Sequence, residues 1–332
     1  MKYLTLTDRH QLCLKEGVTP EAKDDEICLE VQYCGICRTD AKMWNTGQRD
    51  LRLPRILGHE FCGSDSNQKV FTVWPAKSCG RCSQCTSGHE NLCPEIEIIG
   101  FHRDGGMSEY VSVPKSSLIE LPCSLSPELS IFAEPMACTI NALEQLDAVT
   151  ETKDCELRRS EKKTIIIIGG GTCGLLAALA AKTYNLKPVI IEKCKEKRSK
   201  SRLFSQTTNI EIIEGLEDDM SFDYGINAAS TPEAVISGIR SIKSSGKFCL
   251  FSGLDKKIQL PSAIFNEIHY RQLTMHGAYG CTKLQMQNAL KIIQDNQNAI
   301  QFLIEEFTNL ENVEEKMNAI LNKNAFRYIV KL

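Results

Sequence analysis

Hydrophobic and polar positions follow one pattern up to about residue 145 and a different one afterwards. In the first part, short apolar runs at 27–31, 70–73 and 110–113 are separated by clusters of Gly, Pro and Cys, which predicts β-strands and few helices. From residue 164 onward, apolar runs of strand length alternate with helical segments such as 231–243. The predicted strands of this part lie at 164–168, 188–192, 210–213, 223–227, 247–252 and 273–277. Alternation at this spacing predicts an α/β region with a parallel sheet and helices on both faces.

Two further segments complete the organisation. Residues 147–163 are polar and charged, as expected for a linker or a surface loop. After residue 280 the chain has a helical pattern with scattered polar positions, and it ends in FRYIVKL, which has the pattern of a strand. A chain of 332 residues is long enough for two domains of about 150 residues each. The pattern therefore predicts one β-rich domain and one α/β domain.

Composition and charge disfavour several classes of partner. The chain is 42% hydrophobic and 24% charged with a formal net charge of −3, so we expect neither a nucleic acid nor an anionic membrane as its partner. The uncharged stretch 164–181 is as long as a membrane span, but four glycines interrupt it, which predicts a strand, a turn and a helix. Sixteen cysteines without an apolar leader at the N-terminus favour thiols and metal ligands in the cytoplasm over disulfides.

A glycine motif directly after the strand 164–168 predicts a dinucleotide site. In a strand–GxGxxG–helix arrangement, the first glycine permits the turn, the second lets backbone approach a pyrophosphate, and the third lets the helix pack on the strand. Glu192 ends the next strand, where an acid would bind the adenosine ribose and repel a 2′-phosphate, so NAD is favoured over NADP. Nearby basic residues soften this preference. The predicted cofactor-binding residues are Gly169, Gly171, Gly174, Thr172, Cys173, Glu192, Lys197 and Arg198. A glycine turn that binds nothing is the alternative.

Four cysteines stand close together in CGRCSQCTSGHENLC, namely Cys79, Cys82, Cys85 and Cys93. Three thiolates at intervals of three and a fourth eight residues later can surround one tetrahedral ion, and four cysteines leave no open position, so we expect a structural zinc. An iron–sulfur cluster is the alternative, because C-x2-C-x2-C followed by Cys-Pro also occurs in ferredoxins.

A second set of ligand types precedes this cluster. Cys37 lies in CGICRTD, and His59 and Glu60 lie in LGHE. Thiolate, imidazole and carboxylate together are typical of a catalytic zinc that keeps one position for substrate. Each motif alone also occurs in ordinary turns.

The order of the motifs resembles a known family. CGICRTD, LGHE, the four-cysteine segment, DGGMSEYVSVP, AEPMAC and the glycine motif follow one another as in the zinc-dependent medium-chain dehydrogenase/reductase superfamily, over about residues 27–280. The chain is most similar to the sorbitol, polyol and threonine dehydrogenases. The resemblance implies a GroES-like catalytic domain at 1–145 with a metal lobe at 79–93, a Rossmann NAD-binding domain at 146–280, and a return of 281–332 to the catalytic domain. It also implies two zinc ions per chain and a homodimer or homotetramer.

The resemblance further implies roles for single residues. Cys37 and His59 correspond to catalytic zinc ligands, and either Glu134 or Glu60 to the third. Thr39 corresponds to the hydroxyl that takes the proton of the substrate. Three more positions have expected roles: Asp40 orients the histidine ligand, Arg38 reaches the cofactor pyrophosphate, and Lys42 replaces a relay histidine. Lys42 would act as a relay or bind an anionic substrate group, with a solvated surface lysine as the alternative.

These observations predict a zinc alcohol or polyol dehydrogenase that transfers hydride between a secondary alcohol and NAD(P). A polyol, a sugar alcohol or its phosphate is the expected substrate. A simple alcohol or L-threonine-type dehydrogenase and a non-catalytic zinc-stabilised NAD-binding protein are the alternatives, together with an iron–sulfur electron carrier.

Overall fold

The chain folds into two compact units. The computed structural model describes residues 1–149, 162–217, 219–254, 260–322 and 325–332. Unit 1 comprises Met1–Ala137 and Cys281–Leu332, and unit 2 comprises Cys138–Gly280. We predicted a boundary after residue 145, whereas the observed division falls inside a helix. Most of the predicted linker at 147–163 lies outside the described residues.

The first part of unit 1 is rich in short strands. These are β1 (Lys2–Asp8), β2 (Gln11–Glu16), β3 (Glu26–Ile36), β4 (Arg55–Ile56), β5 (Glu60–Ser64), β6 (Val70–Val73), β7 (Ala76–Lys77), β8 (Glu97–Ile98), β9 (Tyr110–Pro114) and β10 (Leu118–Glu120). The helices of this part are α1 (Arg38–Thr46), α2 (Ser83–Thr86) and α3 (Ala133–Gln145), of which α3 contains the division. The β-rich prediction for this part is confirmed, with α1 and α3 as helices that the pattern did not predict.

Unit 2 contains the predicted parallel sheet. Its elements are β11 (Thr164–Ile168), α4 (Thr172–Thr183), β12 (Lys187–Ile191), α5 (Lys195–Lys200), α6 (Arg202–Thr208), β13 (Glu211–Ile213), β14 (Phe222–Asn227), α7 (Pro232–Arg240), β15 (Ile242–Leu250), α8 (Ser262–Tyr270) and β16 (Thr274–Gly277). The strand order is β13-β12-β11-β14-β15-β16, and every neighbouring pair is parallel. This is the doubly wound order whose ligand site lies where the order reverses, between β11 and β14.

The C-terminal segment of unit 1 contains α9 (Lys283–Asp295), α10 (Gln297–Gln301), β17 (Ile304–Thr308), α11 (Val313–Leu321) and β18 (Arg327–Lys331). β18 joins the main sheet of unit 1, whose order is β10-β6-β5-β3-β18-β17, with β9 also paired to β3. Strand β3 is therefore the centre of this sheet, and its C-terminal end leads directly into α1. The final strand was predicted, and β17 was not.

The segment predicted as helix at 231–243 ends at Arg240, because the chain turns there into the buried Ile242 of β15. The apolar stretch 164–181 forms β11, the glycine turn and part of α4, as the glycines predicted. Among the described residues, no helix is long and apolar enough to cross a membrane.

Candidate active site and metal centres

Three potential metal ligands meet at the C-terminal end of β3. Antiparallel pairing sets Gly35 of β3 opposite Glu60 of β5. This register places Cys37, two residues after Gly35, beside His59. One donor atom of Cys37, one of His59 and one of Glu60 lie within 4.8 Å of one another. Since His59 and Glu60 are both buried, the set is shielded from bulk water on that side.

Asp40 fixes two of these groups at once. It is the third residue of α1 and fully buried. Its Oδ2 accepts a hydrogen bond of 2.8 Å from the backbone N–H of Cys37, which closes a capping box at the start of the helix. Its Oδ1 lies 3.3 Å from Nδ1 of His59. Nε2 is therefore the nitrogen of His59 that is left for a metal.

The electrostatics of the site favour a thiolate. Burial raises the pKa of Cys37, but the neighbouring His59 outweighs it and lowers the pKa to about 6. Burial acts in the opposite direction on His59, where the charges of Asp40 and Cys37 prevail and raise its pKa well above the ordinary value. The backbone N–H of Thr39 also points at Cys37 Sγ, at 3.5 Å.

Glu60 provides the test of whether a metal fits here. Its Oε1 lies 3.1 Å from Nη2 of Arg327. Its Oε2 is buried and has no hydrogen-bond partner in the part of the chain that the structure describes. A buried acceptor without a partner is costly, and burial, followed by the nearby Cys37 and Glu134, raises the pKa of Glu60 despite the opposing effect of Arg327. A zinc ion bound to thiolate, imidazole and carboxylate would satisfy this donor set.

The other predicted residues of this site lie around it in unit 1. Glu134 is in the first turn of α3 and has a carboxylate oxygen within 4.8 Å of Cys281 Sγ; its charge also acts on Glu60. Thr39 and Lys42 are both half-buried and lie one turn apart on α1. Arg38 donates from Nη1 to the carbonyl of Ile320, at 3.3 Å. The predicted contacts of these residues with substrate or cofactor stay predictions.

The four cysteines at 79–93 converge around α2. Cys82 Sγ lies 3.5 Å from Cys85 Sγ, and Cys79 Sγ lies 3.9 Å from Cys85 Sγ. One tetrahedral ion with zinc–sulfur bonds of about 2.3 Å holds its sulfurs about 3.8 Å apart, whereas a cluster of several irons spreads them further. Two backbone N–H groups, of Arg81 and Cys82, lower the pKa of Cys79 to about 6, and burial raises that of Cys93 to about 11. The spacing therefore fits a single ion.

The glycine turn of unit 2 has the geometry of a phosphate cradle. Gly169 has φ +117°, which side chains rarely adopt. A Cβ on Gly174 would lie 1.8 Å from the carbonyl oxygen of Gly169, so the third glycine allows α4 to approach the turn. Gly171 faces open space, apart from Lys197 Nζ at 3.8 Å from its Cβ position. Thr172 and Cys173 form the first turn of α4.

Glu192 directly follows β12, and two backbone N–H groups hold its carboxylate in place. Its Oε2 accepts from the N–H of Gly170 at 2.9 Å, and its Oε1 accepts from the N–H of Cys194 at 2.8 Å. Arg198, by contrast, donates to the carbonyl of Glu192 at 2.7 Å and pairs with Glu214 at 2.7 Å. The guanidinium of Arg198 is thus engaged locally, and Lys197 is the basic group that reaches the glycine turn.

Arg327 is a buried residue beside this site that sequence reasoning missed. It is 3% exposed and comes from the last strand, far along the chain from the other residues of the site. A signal existed, since an arginine within the apolar run FRYIVKL requires a buried partner.

Residues 23–123 match the family model described as the alcohol dehydrogenase GroES-like domain, and residues 164–244 match that described as the FAD binding domain. An uncharacterized zinc-type alcohol dehydrogenase-like protein of Haemophilus influenzae is 27% identical over 94% of this chain and 93% of its own. Over nearly its whole length the chain is therefore similar to a zinc-type alcohol dehydrogenase-like protein, and residues 23–123 match the GroES-like domain of alcohol dehydrogenases. Another relative is the L-galactonate-5-dehydrogenase of Escherichia coli, 26% identical over 85% of this chain and 84% of its own.

The fold is shared with solved structures of dehydrogenases. A putative zinc-binding dehydrogenase from Sinorhizobium meliloti, bound to NADP, superimposes with a TM-score of 0.84 at 24% identity, covering 100% of this chain and 99% of that one. The match of 164–244 to an FAD domain model agrees with the dinucleotide turn, because FAD and NAD share the ADP half that such a turn binds.

Proposed function

We propose that the protein is a zinc-dependent dehydrogenase that oxidises a secondary alcohol of a polyol with NAD. The observation that carries this proposal is the meeting of Cys37, His59 and Glu60, with Asp40 behind the histidine. Unit 2 adds a dinucleotide turn followed by an acid at the end of β12. Substrate identity stays open between free polyols, sugar acids and phosphate esters.

The residues of unit 1 would hold one catalytic zinc. Cys37 supplies a thiolate and His59 supplies Nε2, while Glu60 or Glu134 supplies the third ligand. When bound, zinc lowers the pKa of a coordinated alcohol toward neutrality. A second zinc would be held by the four-cysteine lobe, where it stabilises the fold and takes no part in the reaction.

We assign the transfer of the substrate proton to side chains of helix α1. Thr39 lies two residues after Cys37, on the first turn of the helix, so its hydroxyl is our candidate for accepting the proton of the substrate. Lys42, one turn later on α1, is the candidate for the next step or for holding an anionic substrate group. NAD held by the glycine turn of unit 2 and Glu192 would supply the hydride acceptor, so that the hydride and the hydroxyl proton together would account for the two-electron oxidation of the alcohol to a ketone.

We propose NAD as the cofactor because backbone N–H groups fix both carboxylate oxygens of Glu192, which could also accept hydrogen bonds from two ribose hydroxyls. Lys197 lies beside the glycine turn and leaves some capacity for NADP. A flavin nucleotide could bind at the same glycine turn. The absorbance of a bound flavin in the purified protein would therefore contradict the choice of NAD.

We also propose a polyhydroxylated substrate. The E. coli relative acts, by its name, on L-galactonate, which carries several hydroxyls and a carboxylate. A cation such as Lys42 would recognise an anionic group of this kind. We further propose a homo-oligomer in the cytoplasm, whose reducing conditions suit a chain with sixteen cysteines.

The experiment that tests the function follows NADH formation with matched substrates. Each sugar alcohol is offered free, as its phosphate ester and as the corresponding sugar acid. Turnover of the free polyols supports a sorbitol-type reaction, and turnover confined to the charged forms supports an anion site at Lys42. If the zinc-loaded protein forms no NADH with any of these compounds, the polyol proposal is contradicted.

Two variants separate catalysis from folding. Thr39→Val removes the hydroxyl and should lower kcat at least about 100-fold, whereas Thr39→Ser keeps the hydroxyl and should retain most of the activity. A Cys37→Ser protein with full turnover and normal zinc content would refute the ligand assignment.

A further inference from the structure

A cavity of about 440 Å³ lies in unit 1 beside the turn between β1 and β2. Its wall combines three apolar side chains and two charged ones, namely those of Met43, Leu51, Leu53, Asp8 and Arg9. Small-molecule sites have volumes of about 300–1,000 Å³ and join an apolar wall to a few polar groups that orient the ligand. The residues that we assign to zinc in unit 1 are not among those that line this cavity. It is therefore a second place in unit 1 where a small molecule fits.

The turn that carries the two charges is fixed to the end of α1. The backbone N–H of His10 donates to the carbonyl of Trp44 at 2.9 Å, and the two rings meet edge to face with their centroids 4.6 Å apart. These contacts hold His10 at φ +58°, a conformation that residues with side chains adopt rarely. The neighbouring Arg9 places Nε and Nη2 at 3.2 and 3.3 Å from the Cβ position of Gly47. Because Gly47 has no side chain, the guanidinium lies directly against the end of the helix.

Both charged groups of the cavity lack a charged partner. Asp8 Oδ1 accepts a hydrogen bond of 2.7 Å from the backbone N–H of Arg9. In the part of the chain that the structure describes, neither the Asp8 carboxylate nor the Arg9 guanidinium forms an ion pair. Arg49, on the segment after α1, is by contrast paired with Asp50 at 3.0 Å. The cavity therefore offers a ligand one positive and one negative group on consecutive residues.

We propose that this cavity binds an α-amino acid with an apolar side chain. The carboxylate of the ligand pairs with the guanidinium of Arg9, whose planar fork matches a carboxylate, and its ammonium group pairs with Asp8. The apolar side chain packs on Met43, Leu51 and Leu53. A zwitterion satisfies both charges, whereas a simple anion meets the repulsion of Asp8 and a simple cation that of Arg9.

The cavity is separate from the proposed site of hydride transfer but shares a helix with it. Met43 and Gly47 follow Thr39 at intervals of four residues, so the three lie along one face of α1 and its C-terminal end. The distance from Thr39 to Gly47 along the helix axis is about 12 Å. The bound amino acid is thus not the alcohol that is oxidised. The inference uses neither the metal nor the dinucleotide, so it does not depend on the proposed function.

The test is a calorimetric titration of L-leucine into the full-length protein as purified. Two analogues each lack one charge: 4-methylpentanoate has no ammonium group, and 3-methylbutylamine has no carboxylate. L-Leucine should bind with a Kd at least about tenfold lower than that of either analogue. In protein labelled with carbon-13 at the methionine methyl groups, the Met43 signal, assigned from its loss in Met43→Leu, should shift as L-leucine is added.

Three variants locate the site. Arg9→Gln and Asp8→Asn each remove one charge from an exposed position, and each should raise the Kd for L-leucine at least about tenfold while the Tm stays unchanged. Arg49→Gln is the matched control, because this exposed arginine belongs to the same part of unit 1 but does not line the cavity. It should leave the Kd unchanged. In Arg9→Gln, 3-methylbutylamine should bind as tightly as L-leucine.

Three results would overturn the inference. The first is the absence of binding by L-leucine, L-methionine and L-phenylalanine at about 10 mM. The second is binding of 4-methylpentanoate as tight as that of L-leucine, which would indicate a site for organic anions. The third is L-leucine binding that Arg9→Gln and Asp8→Asn leave unchanged, which would place the ligand elsewhere on the protein. Each result is obtained whether or not the protein oxidises an alcohol.

Discussion

Three glycine substitutions in unit 2 can separate the contribution of the glycine turn to packing from its contribution to phosphate binding. A Cβ added at Gly174 would lie 1.8 Å from a backbone oxygen, that of Gly169. To restore a normal carbon–oxygen contact of about 3.3 Å, the start of α4 must move by about 1.5 Å. Overpacking against rigid backbone costs about 3 kcal/mol. Alanine gains about 1 kcal/mol over glycine in a helix, so Gly174→Ala should destabilise unit 2 by about 2 kcal/mol.

Gly171→Ala should behave differently. Gly171 has φ −78°, which any residue adopts, and its nearest neighbour would be a flexible Lys197 ammonium at 3.8 Å. We expect a stability loss of at most about 1 kcal/mol, from the poorer N-cap. The new methyl group would stand where the pyrophosphate has to approach, so the Kd for NAD should rise at least about tenfold. Gly215→Ala is the control, since no atom of the described residues lies within 4 Å of its Cβ position.

The assay pairs thermal unfolding with calorimetric titration of NAD into each variant. Gly174→Ala should lose both stability and affinity, Gly171→Ala mainly affinity, and Gly215→Ala neither. A Gly174→Ala protein as stable as the wild type would refute the packing argument. Normal NAD binding by Gly171→Ala would refute the assignment of the phosphate site.

Three further changes test other parts of the molecule. Cys93→Ser should reduce bound zinc from two ions per chain to one and lower the Tm. Atomic emission spectroscopy measures the zinc bound per chain, and a variant that keeps two ions would contradict this prediction. Glu26→Gln should cost about 2 kcal/mol at neutral pH, because it removes the charge of the buried one of the two carboxylates that pair with Arg103, while Glu97 remains. The pKa of Glu26 is lowered, as burial is outweighed by the hydrogen bonds from Ser112 and Arg103. This stability is therefore present above the unfolded pKa of about 4.5 and is lost as the pH falls through the lower folded pKa. The difference between variant and wild type in urea unfolding should shrink over that range, and a constant difference would count against the ion pair. Asn227→Ala should cost about 2–3 kcal/mol in the same assay, because the fully buried side chain bonds three backbone groups at the end of β14; a loss below 0.5 kcal/mol would show that those groups find other partners.

Features formed by neighbouring residues could be predicted from the sequence. The four-cysteine lobe spans only 79–93, so spacing along the chain nearly determines spacing in space. The strand, glycine turn and helix at 164–183 are likewise consecutive, and the parallel sheet follows from the alternation of elements. Strand β17 was not predicted because its sequence IEEFT is about half polar. Its burial depends on the pairing with the neighbouring strand β18.

Some residues of the candidate active site owe their place to strand register. Antiparallel pairing of β3 with β5 brings Glu60 to Gly35, and pairing of β18 with β3 brings Arg327 to the same point. No local pattern encodes these contacts, since they join positions far apart along the chain and a shift of one residue would turn each side chain to the opposite face. The sequence by itself therefore determined the ligand types, the nucleotide turn and the fold class. The resemblance had already implied that Asp40 orients His59, and the structure places the two side chains 3.3 Å apart. Only the tertiary structure decided that Glu60 faces a buried guanidinium, because burial and register arise when the sheet forms.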